Sequence, residues 1–380
     1  MNLKLSKKDK SKIGTKTKVI ALAILVLIII GSSAYILSNQ RSEQKQHLIV
    51  TTTTSLYETG LLDILKIEFE GQYPSINVSF ISQGTGLAIQ TAMRGDADMI
   101  LVHDPARELE FLEEGYGVNR KIIAYNFFVI AGPSEDPANI RGLSPTDAFI
   151  KIKESGENTS ALWVSRGDDS GTHAKEKRIW NFAGLDVANL RTQDWYIEAG
   201  SGMTATLKLA DDKGAYTLVD LGSYLNNYAT GNIKLEIIVE AGKDTLNVYS
   251  VMANNPQKSE LIGSNFDASM KFINFLVSDE VQEILAEFGK DKFGKPLFNP
   301  YVKLLKSGSD QEMVQWIQEL AYFDGTECPT QYRYEEGDLY KFIITVTKNR
   351  IIEMPEVLRY SYNFWRLHQF FRNFQCLKQL

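Results

Sequence analysis

From residue 47 to residue 114 the chain alternates short apolar runs with helical stretches, and nothing else in it narrows the possible folds as far. HLIVT (47–51), INVSFI (76–81) and DMILV (98–102) have the length and composition of strands. Residues 56–73 space Leu61, Leu62, Leu65, Ile67 and Phe69 as one helix that Pro74 stops; 87–93 form a second helix and 106–114 a third. Such alternation predicts a parallel sheet covered by helices. Ligands of such sheets collect where the carboxyl ends of strands meet helix N-termini. Two of those turns are rich in hydroxyls and glycine: Thr53-Thr54-Ser55 after the first strand and Gly84-Thr85-Gly86 after the second.

A second unit of the same kind follows. Strands are expected at 121–131, 161–165, 216–219, 235–239 and 245–252, with helices over 146–152, 174–183, 204–211, 266–277 and 281–288. The run SRGDDSGTH (165–173) sits at one of its strand-to-helix turns. It sets Arg166 beside a turn-forming Gly-Asp-Asp and then Ser170-Gly171-Thr172, which can open a helix. A guanidinium near unpaired helix N–H groups and hydroxyls is a site for an oxyanion. Asp168 and Asp169 are expected to cap the helix or orient Arg166. His173 is expected to pack against a hinge from the first helical turn.

The front of the chain bears on location. Residues 1–18 carry Lys4, Lys7, Lys8, Lys10, Lys12, Lys16 and Lys18 against Asp9, and an uncharged apolar run fills 19–37. That run approaches the span of a bilayer core, ~30 Å. The lysines place the N-terminus in the cytoplasm and the rest outside. A retained signal anchor with residues 38–46 as a polar tether is the reading adopted; cleavage near residues 31–34 is the alternative. The net charge of −6 understates the acidity of the exported part, because the leader and the tail (340–380) are basic. An acidic exported body excludes nucleic acid as a partner. The two cysteines, Cys328 and Cys376, form neither a disulfide framework nor a metal cluster, and a single bridge between them stays open.

Taken in order, Thr51–Ser55, Gly60-Leu61-Leu62-Asp63, Gly84-Thr85-Gly86, Gly95-Asp96-Ala97-Asp98 with Val102-His103, residues 126–133 (NFFVIAGP), residues 165–173 and 200–204 with Tyr216-Thr217-Leu218 carry a family pattern. On these residues the chain resembles the extracytoplasmic solute-binding proteins of ABC importers, within them the tungstate-binding branch, from about residue 48 to residue 339. The resemblance implies a two-lobed α/β fold of the periplasmic-binding-protein type II kind. Each lobe would be a mixed, mainly parallel sheet flanked by helices, and two crossover strands, near 124–130 and 248–253, would join them. Lobe 1 would comprise about 47–125 and 250–339, lobe 2 about 126–249, within a solute-binding domain of 47–339. It further implies a monomer that captures tungstate between the lobes and delivers it to membrane permease subunits driven by a cytoplasmic ATPase. Thr53, Thr54, Ser55, Gly84, Thr85, Arg166, Ser170, Gly171 and Thr172 would bind the anion, with no metal and no cofactor. Leu221 departs from the pattern, which often has an arginine there.

The physics of such a site is independent of the resemblance. A tetrahedral dianion offers only acceptors, so its site needs many donors. Molybdate, sulfate and phosphate are the competing ligands; phosphate keeps a proton near neutral pH, and Asp168, Asp169 or Asp220 could accept it. An anchored anion-sensing ectodomain is a reading of another class. A serine hydrolase built from Ser165 or Ser170, His173 and Asp168 or Asp169 is disfavoured, because triads are assembled from distant segments and no Gly-x-Ser-x-Gly elbow is present.

Overall fold

The computed structural model describes residues 45–240 and 242–341, together with Ile24 and Val26. The basic leader, most of the apolar run 19–37, the tether up to residue 44, Cys376 and the tail from 342 lie outside the described residues. Among the described residues no helix is long and apolar enough to cross a membrane.

β1 (Gln46–Thr53) leads through a short helix, α1 (Thr54–Glu58), into α2 (Leu61–Gln72). The single helix expected over 56–73 is thus divided. Gly60 sits between the two pieces at φ +83°, a left-handed conformation open to glycine at no steric cost. β2 (Ile76–Gln83), α3 (Thr85–Met93), β3 (Met99–Val102) and α4 (Pro105–Glu113) follow. The long strand β4 (Gly117–Gly132) then leaves this unit. Beyond it come α5 (Pro145–Glu157), β5 (Trp163–Ser165), α6 (Gly171–Phe182), α7 (Val187–Leu190), β6 (Tyr196–Glu198), α8 (Met203–Lys213), β7 (Thr217–Asp220), α9 (Leu221–Ala229) and β8 (Glu236–Val239). β9 (Leu246–Asn254) returns, followed by α10 (Phe266–Leu276), α11 (Asp279–Glu287), α12 (Lys290–Phe293), β10 (Asn299–Pro300), α13 (Tyr301–Ser307) and α14 (Gln311–Ala321).

These elements make two α/β lobes. In the first the strand order is β10-β4-β9-β3-β1-β2, with β1 parallel to β2 and β3, and β9 antiparallel to both β3 and β4. In the second, the far half of β4 pairs with β7 and β8, β5 lies beside β7 through the Trp163–Tyr216 bridge, and β6 runs parallel to β5. β4 is therefore one crossover: residues up to Phe127 pair with β9, and residues from Phe128 pair with β7. The return crossing lies between β8 and Leu246, because β9 pairs with β4 from Leu246 onward. This corrects the expected crossover at 248–253, which is interior to the first lobe's sheet. Lys175 of α6 holds the return link by donating to the carbonyls of Leu246 at 2.8 Å and Asp244 at 3.3 Å. Burial, reinforced by the charge of Arg178, draws its ammonium down to about 7.

The second lobe is built on aromatic packing. Phe149, Trp163, Trp180, Trp195 and Tyr196 form a buried cluster with mostly tilted or edge-on ring contacts. Inside it lies the carboxylate of Glu176 on α6. Its Oε1 accepts from Trp163 Nε1 at 2.9 Å, Trp180 Nε1 at 3.2 Å and Tyr196 Oη at 2.7 Å, and its Oε2 accepts from Ser165 Oγ at 2.8 Å. Burial pushes this carboxyl up and the four hydrogen bonds pull it back. The knot fastens α6 to β5 and β6, and so fixes both ends of the loop that carries Arg166. In the first lobe, Glu108 and Arg120 form a buried ion pair, and Lys121 and Glu327 another, which hold the segment after α14 against the sheet.

Glu176→Ala removes the acceptor of two indole N–H groups and two hydroxyls in the core. We expect a loss of ~3–5 kcal/mol of stability in urea titrations. Glu176→Gln keeps one acceptor oxygen for the crowded side and should lose ~1–2 kcal/mol. Equal losses in the two variants would contradict this account.

Candidate functional site

The register of the first sheet lines up three strand ends. Thr53 stands opposite Gln83 and Thr52 opposite Leu101, so the turns after β1, β2 and β3 emerge side by side. Thr53 is extended (φ −85°, ψ 149°) and caps α1, its Oγ1 lying 3.4 Å from Leu56 N and 3.4 Å from Ser55 Oγ. Thr54 and Ser55 open that helix, and the N–H groups of such a first turn have no intrahelical partners. Gly84 is the extended residue ahead of α3, with no side-chain cap. Thr85 is fully buried, and its Oγ1 makes no hydrogen bond. A buried hydroxyl without a partner costs ~1–3 kcal/mol, which makes Thr85 a donor held in reserve.

The second lobe brings its own strand ends. Arg166 follows β5 and is 2% exposed. Its Nε lies 3.1 Å from Asp168 Oδ2, and its Nη2 reaches the same oxygen. Asp168 Oδ1 accepts from Ser170 N at 3.2 Å, so this acid both orients the guanidinium and shapes the turn. Gly167 and Asp169 each adopt positive φ (61° and 57°), which turns the loop back on itself. Ser170 Oγ caps α6 by accepting from His173 N at 3.2 Å, and Thr172 is buried in the same first turn. The parallel neighbour β7 ends at Asp220, which caps α9 by accepting from Ser223 N at 2.9 Å on Oδ1.

The two lobes meet here. A Cβ at Gly84 would lie 3.7 Å from the Asp168 carbonyl, and one at Gly171 would lie 3.0 Å from Thr85 Oγ1 and 2.8 Å from His103 Cε1. Arg107 of α4 donates to the Asp169 carbonyl at 3.0 Å and pairs with its carboxylate. Asp169 is thus a contact between lobes rather than a cap or a support for Arg166, a correction to the sequence reading. Thr204 Oγ1 donates to Glu58 at 3.3 Å, and Lys292 Nζ to Asn226 Oδ1 at 2.9 Å, each from one lobe to the other. Burial raises the carboxyls of Glu58 and Asp220, while the charge of Arg166 acts on both in the opposite sense.

Two histidines stand at the contact. His103 Nδ1 is 2.9 Å from Asn247 Oδ1, while Asn247 Nδ2 donates to Asn126 Oδ1 and to Tyr249 Oη, so His103 Nδ1 is the donor. Burial lowers its pKa to about 4. His173 Nδ1 accepts from Asp169 N at 3.2 Å, so its ring serves its own loop, not the hinge that the sequence suggested. Burial lowers its pKa as well. Ser170 Oγ serves as a helix cap, Ser165 Oγ donates to Glu176, and Asp168 holds Arg166. The residue types of a hydrolase are present, each committed to another hydrogen bond. Among the described residues no group of three or more His, Cys, Asp or Glu could hold a metal ion.

Of the residues expected from sequence, Gly84, Thr85 and Gly171 lie at the interlobe contact, and Thr53–Ser55 head the helix beside them. Arg166, Ser170 and Thr172 share the facing loop and helix start. Sequence reasoning named His103 in the family pattern without giving it a place in the site, and passed over Arg107 and Glu58. The position of Asp220 at a strand end before a helix was the signal for its capping role.

Two tests follow from this geometry. Gly171→Ala should hold the lobes apart, detectable as a larger radius of gyration in small-angle scattering, with the unfolding midpoint nearly unchanged. Folding keeps His103 neutral, so its contribution is complete above pH ~6.5 and is lost as the pH falls toward 4, ~3 kcal/mol in all. His103→Gln should flatten that part of the stability–pH profile.

Residues 38–280 match the PBP superfamily domain family. A protein of Haloferax volcanii, provisionally named as an ABC transporter anion-binding protein, is 46% identical over 261 residues, which cover 67% of this chain and 72% of that one. The tungstate-binding protein TupA of Peptoclostridium acidaminophilum is 39% identical over 261 residues, 69% of this chain and 88% of the relative. The solved structure of the tungstate-binding protein TupA from Desulfovibrio alaskensis superposes with a TM-score of 0.58 at 36% identity, covering 67% of this chain and 98% of the other.

Proposed function

This chain belongs to the PBP superfamily and is a homologue of the TupA tungstate-binding proteins, and we propose that it captures tungstate between its lobes as the extracytoplasmic binding component of an ABC importer. The observation that carries the reading is the convergence of helix first turns from both lobes, with Arg166 buried and Thr85 Oγ1 unpartnered. A dianion entering this space loses its hydration and must regain it as hydrogen bonds. Thr53, Thr54 and Ser55 supply hydroxyls and N–H groups from α1; Gly84 and Thr85 do so from α3. Ser170, Gly171 and Thr172 supply them from α6, and Arg166 adds the compensating charge. Donors that come from two hinged lobes surround the same oxygens only when the cleft is shut, so binding and closure are one equilibrium.

The anion is held as such, with no metal and no cofactor, and released unchanged. An ABC transporter setting is supported by the Haloferax volcanii relative. Membrane permease subunits with a cytoplasmic ATPase are the recipients in this reading. The apolar run 19–37 exports the binding domain and either anchors it or is removed. The domain works as a monomer.

Isothermal titration should show tungstate binding more tightly than molybdate, sulfate or phosphate. Phosphate binding as tight as tungstate would overturn the assignment. Arg166→Ala should weaken tungstate by ~3 kcal/mol, about a hundredfold, because it removes the charged partner of a desolvated dianion.

A further inference from the structure

Asp220 is a buried acid in a place where a dianion site should have none. It is 1% exposed; one oxygen caps α9, and Oδ2 has no hydrogen-bond partner. Ser223, 4% exposed, lies in the same turn; its hydroxyl is close enough to the Asp220 carboxyl to favour the charged form, but its Oγ makes no well-formed hydrogen bond. A buried carboxylate oxygen left without a well-formed hydrogen bond is unusual, since buried polar groups are nearly always paired.

The position of this turn ties it to the anion-binding loop. The parallel Trp163–Tyr216 bridge and the bond from Thr217 Oγ1 to the Val164 carbonyl set β5 beside β7; Arg166 follows the end of β5, Asp220 closes β7, and the charge of Arg166 acts on the Asp220 carboxyl. A Cβ on Gly222 would lie 3.5 Å from Thr59 Cγ2, so the start of α9 abuts the end of α1 from the opposite lobe. The charged and titratable groups acting around Asp220 are Arg166 of the β5–α6 loop, Glu58 of α1 and Tyr249 of β9, with His103 beyond Arg166. Arg166 is the one cation in this set, and it already shares itself with Asp168.

We propose that Asp220 faces the bound anion and takes up one proton from solvent when a tungstate dianion enters, so that its carboxyl donates to a tungstate oxygen, with Ser223 Oγ donating beside it. The proposal rests on the oxyanion reading given above and deepens it. An ionised Asp220 would add a second anion to a desolvated dianion, whereas a neutral one turns repulsion into a hydrogen bond. Burial already favours the neutral form, and a dianion favours it further. The proton changes no covalent bond in the ligand. The same carboxyl also discriminates: monohydrogen phosphate carries its own proton and can donate it in a hydrogen bond to an ionised Asp220, so it needs none from solvent. Tungstate binding thereby draws a proton onto Asp220, and binding of monohydrogen phosphate does not.

The test is titration calorimetry with sodium tungstate on the wild-type chain, in buffers of different ionisation enthalpy at pH 7–9. Wild type should take up about one proton per tungstate, and its affinity should fall by up to ~tenfold per pH unit as the pH rises. Asp220→Asn keeps the helix cap, since asparagine caps as well as aspartate, and presents a fixed neutral donor. It should lose the proton uptake and the pH slope, and bind tungstate at least ~tenfold more tightly than wild type at pH 9. Ser223→Ala should weaken tungstate about tenfold and keep the uptake. Tight tungstate binding by wild type with no proton uptake, or an Asp220→Asn variant that keeps the wild-type slope, overturns the role of Asp220 and leaves the tungstate assignment standing. Failure of the wild type to bind tungstate overturns both.

Discussion

The second half of the cleft hangs on one buried carboxylate. Glu176 collects two indole N–H groups, a phenol and a serine hydroxyl inside an aromatic core, and all four reach it from β5, α6 and β6. A charge in that setting is costly unless every lone pair is used. Once it is used, the strand end before Arg166 and the helix after Ser170 have no freedom to move apart. Arg166 can then be aimed by a local partner, Asp168, instead of by the protein at large. This matters in an acidic molecule, where net charge repels an anion and the attraction must come from fixed local donors.

The first lobe solves the same problem with register. Parallel pairing sets the ends of β1, β2 and β3 in a row, so three successive turns face one space without any charged anchor. The two halves differ in kind: one is backbone and hydroxyls, the other carries the guanidinium. Contacts such as Arg107 with Asp169 and Thr204 with Glu58 join them directly. Those contacts favour the shut form even before an anion adds its own bonds, and their strength bears on how readily the anion leaves.

Much of this was legible in the chain. The alternation of strands and helices, the hydroxyl-rich turns and the Ser165–His173 loop all depend on local pattern, and local pattern is what a sequence displays. The split at Gly60 was lost because its two helical pieces share one apolar periodicity. The role of Asp169 was lost because its partner, Arg107, lies 62 residues away on the other lobe. Asp220 was visible as a turn acid, but its isolation depends on burial, which arises only when α1, β5 and α9 come together. The return crossover lies earlier than the sequence suggests because β9 mixes apolar residues with Asn247, Ser250 and Asn254 along its whole length and gives no sign of where pairing with β4 begins.

The order of strands carries a consequence for how the chain is made. β9 lies between β3 and β4, and β10 lies on the far side of β4. A nascent chain that has emerged only through β8 holds the edges of the first lobe without its centre. The sheet beneath the Thr53 and Gly84 turns therefore cannot close until residues after 246 arrive, long after those turns are synthesised. Such late, non-local pairing delays compaction. Under the proposed extracytoplasmic role, this delay is an advantage: the chain would stay extended while it crosses the membrane and would become a binding protein on the far side.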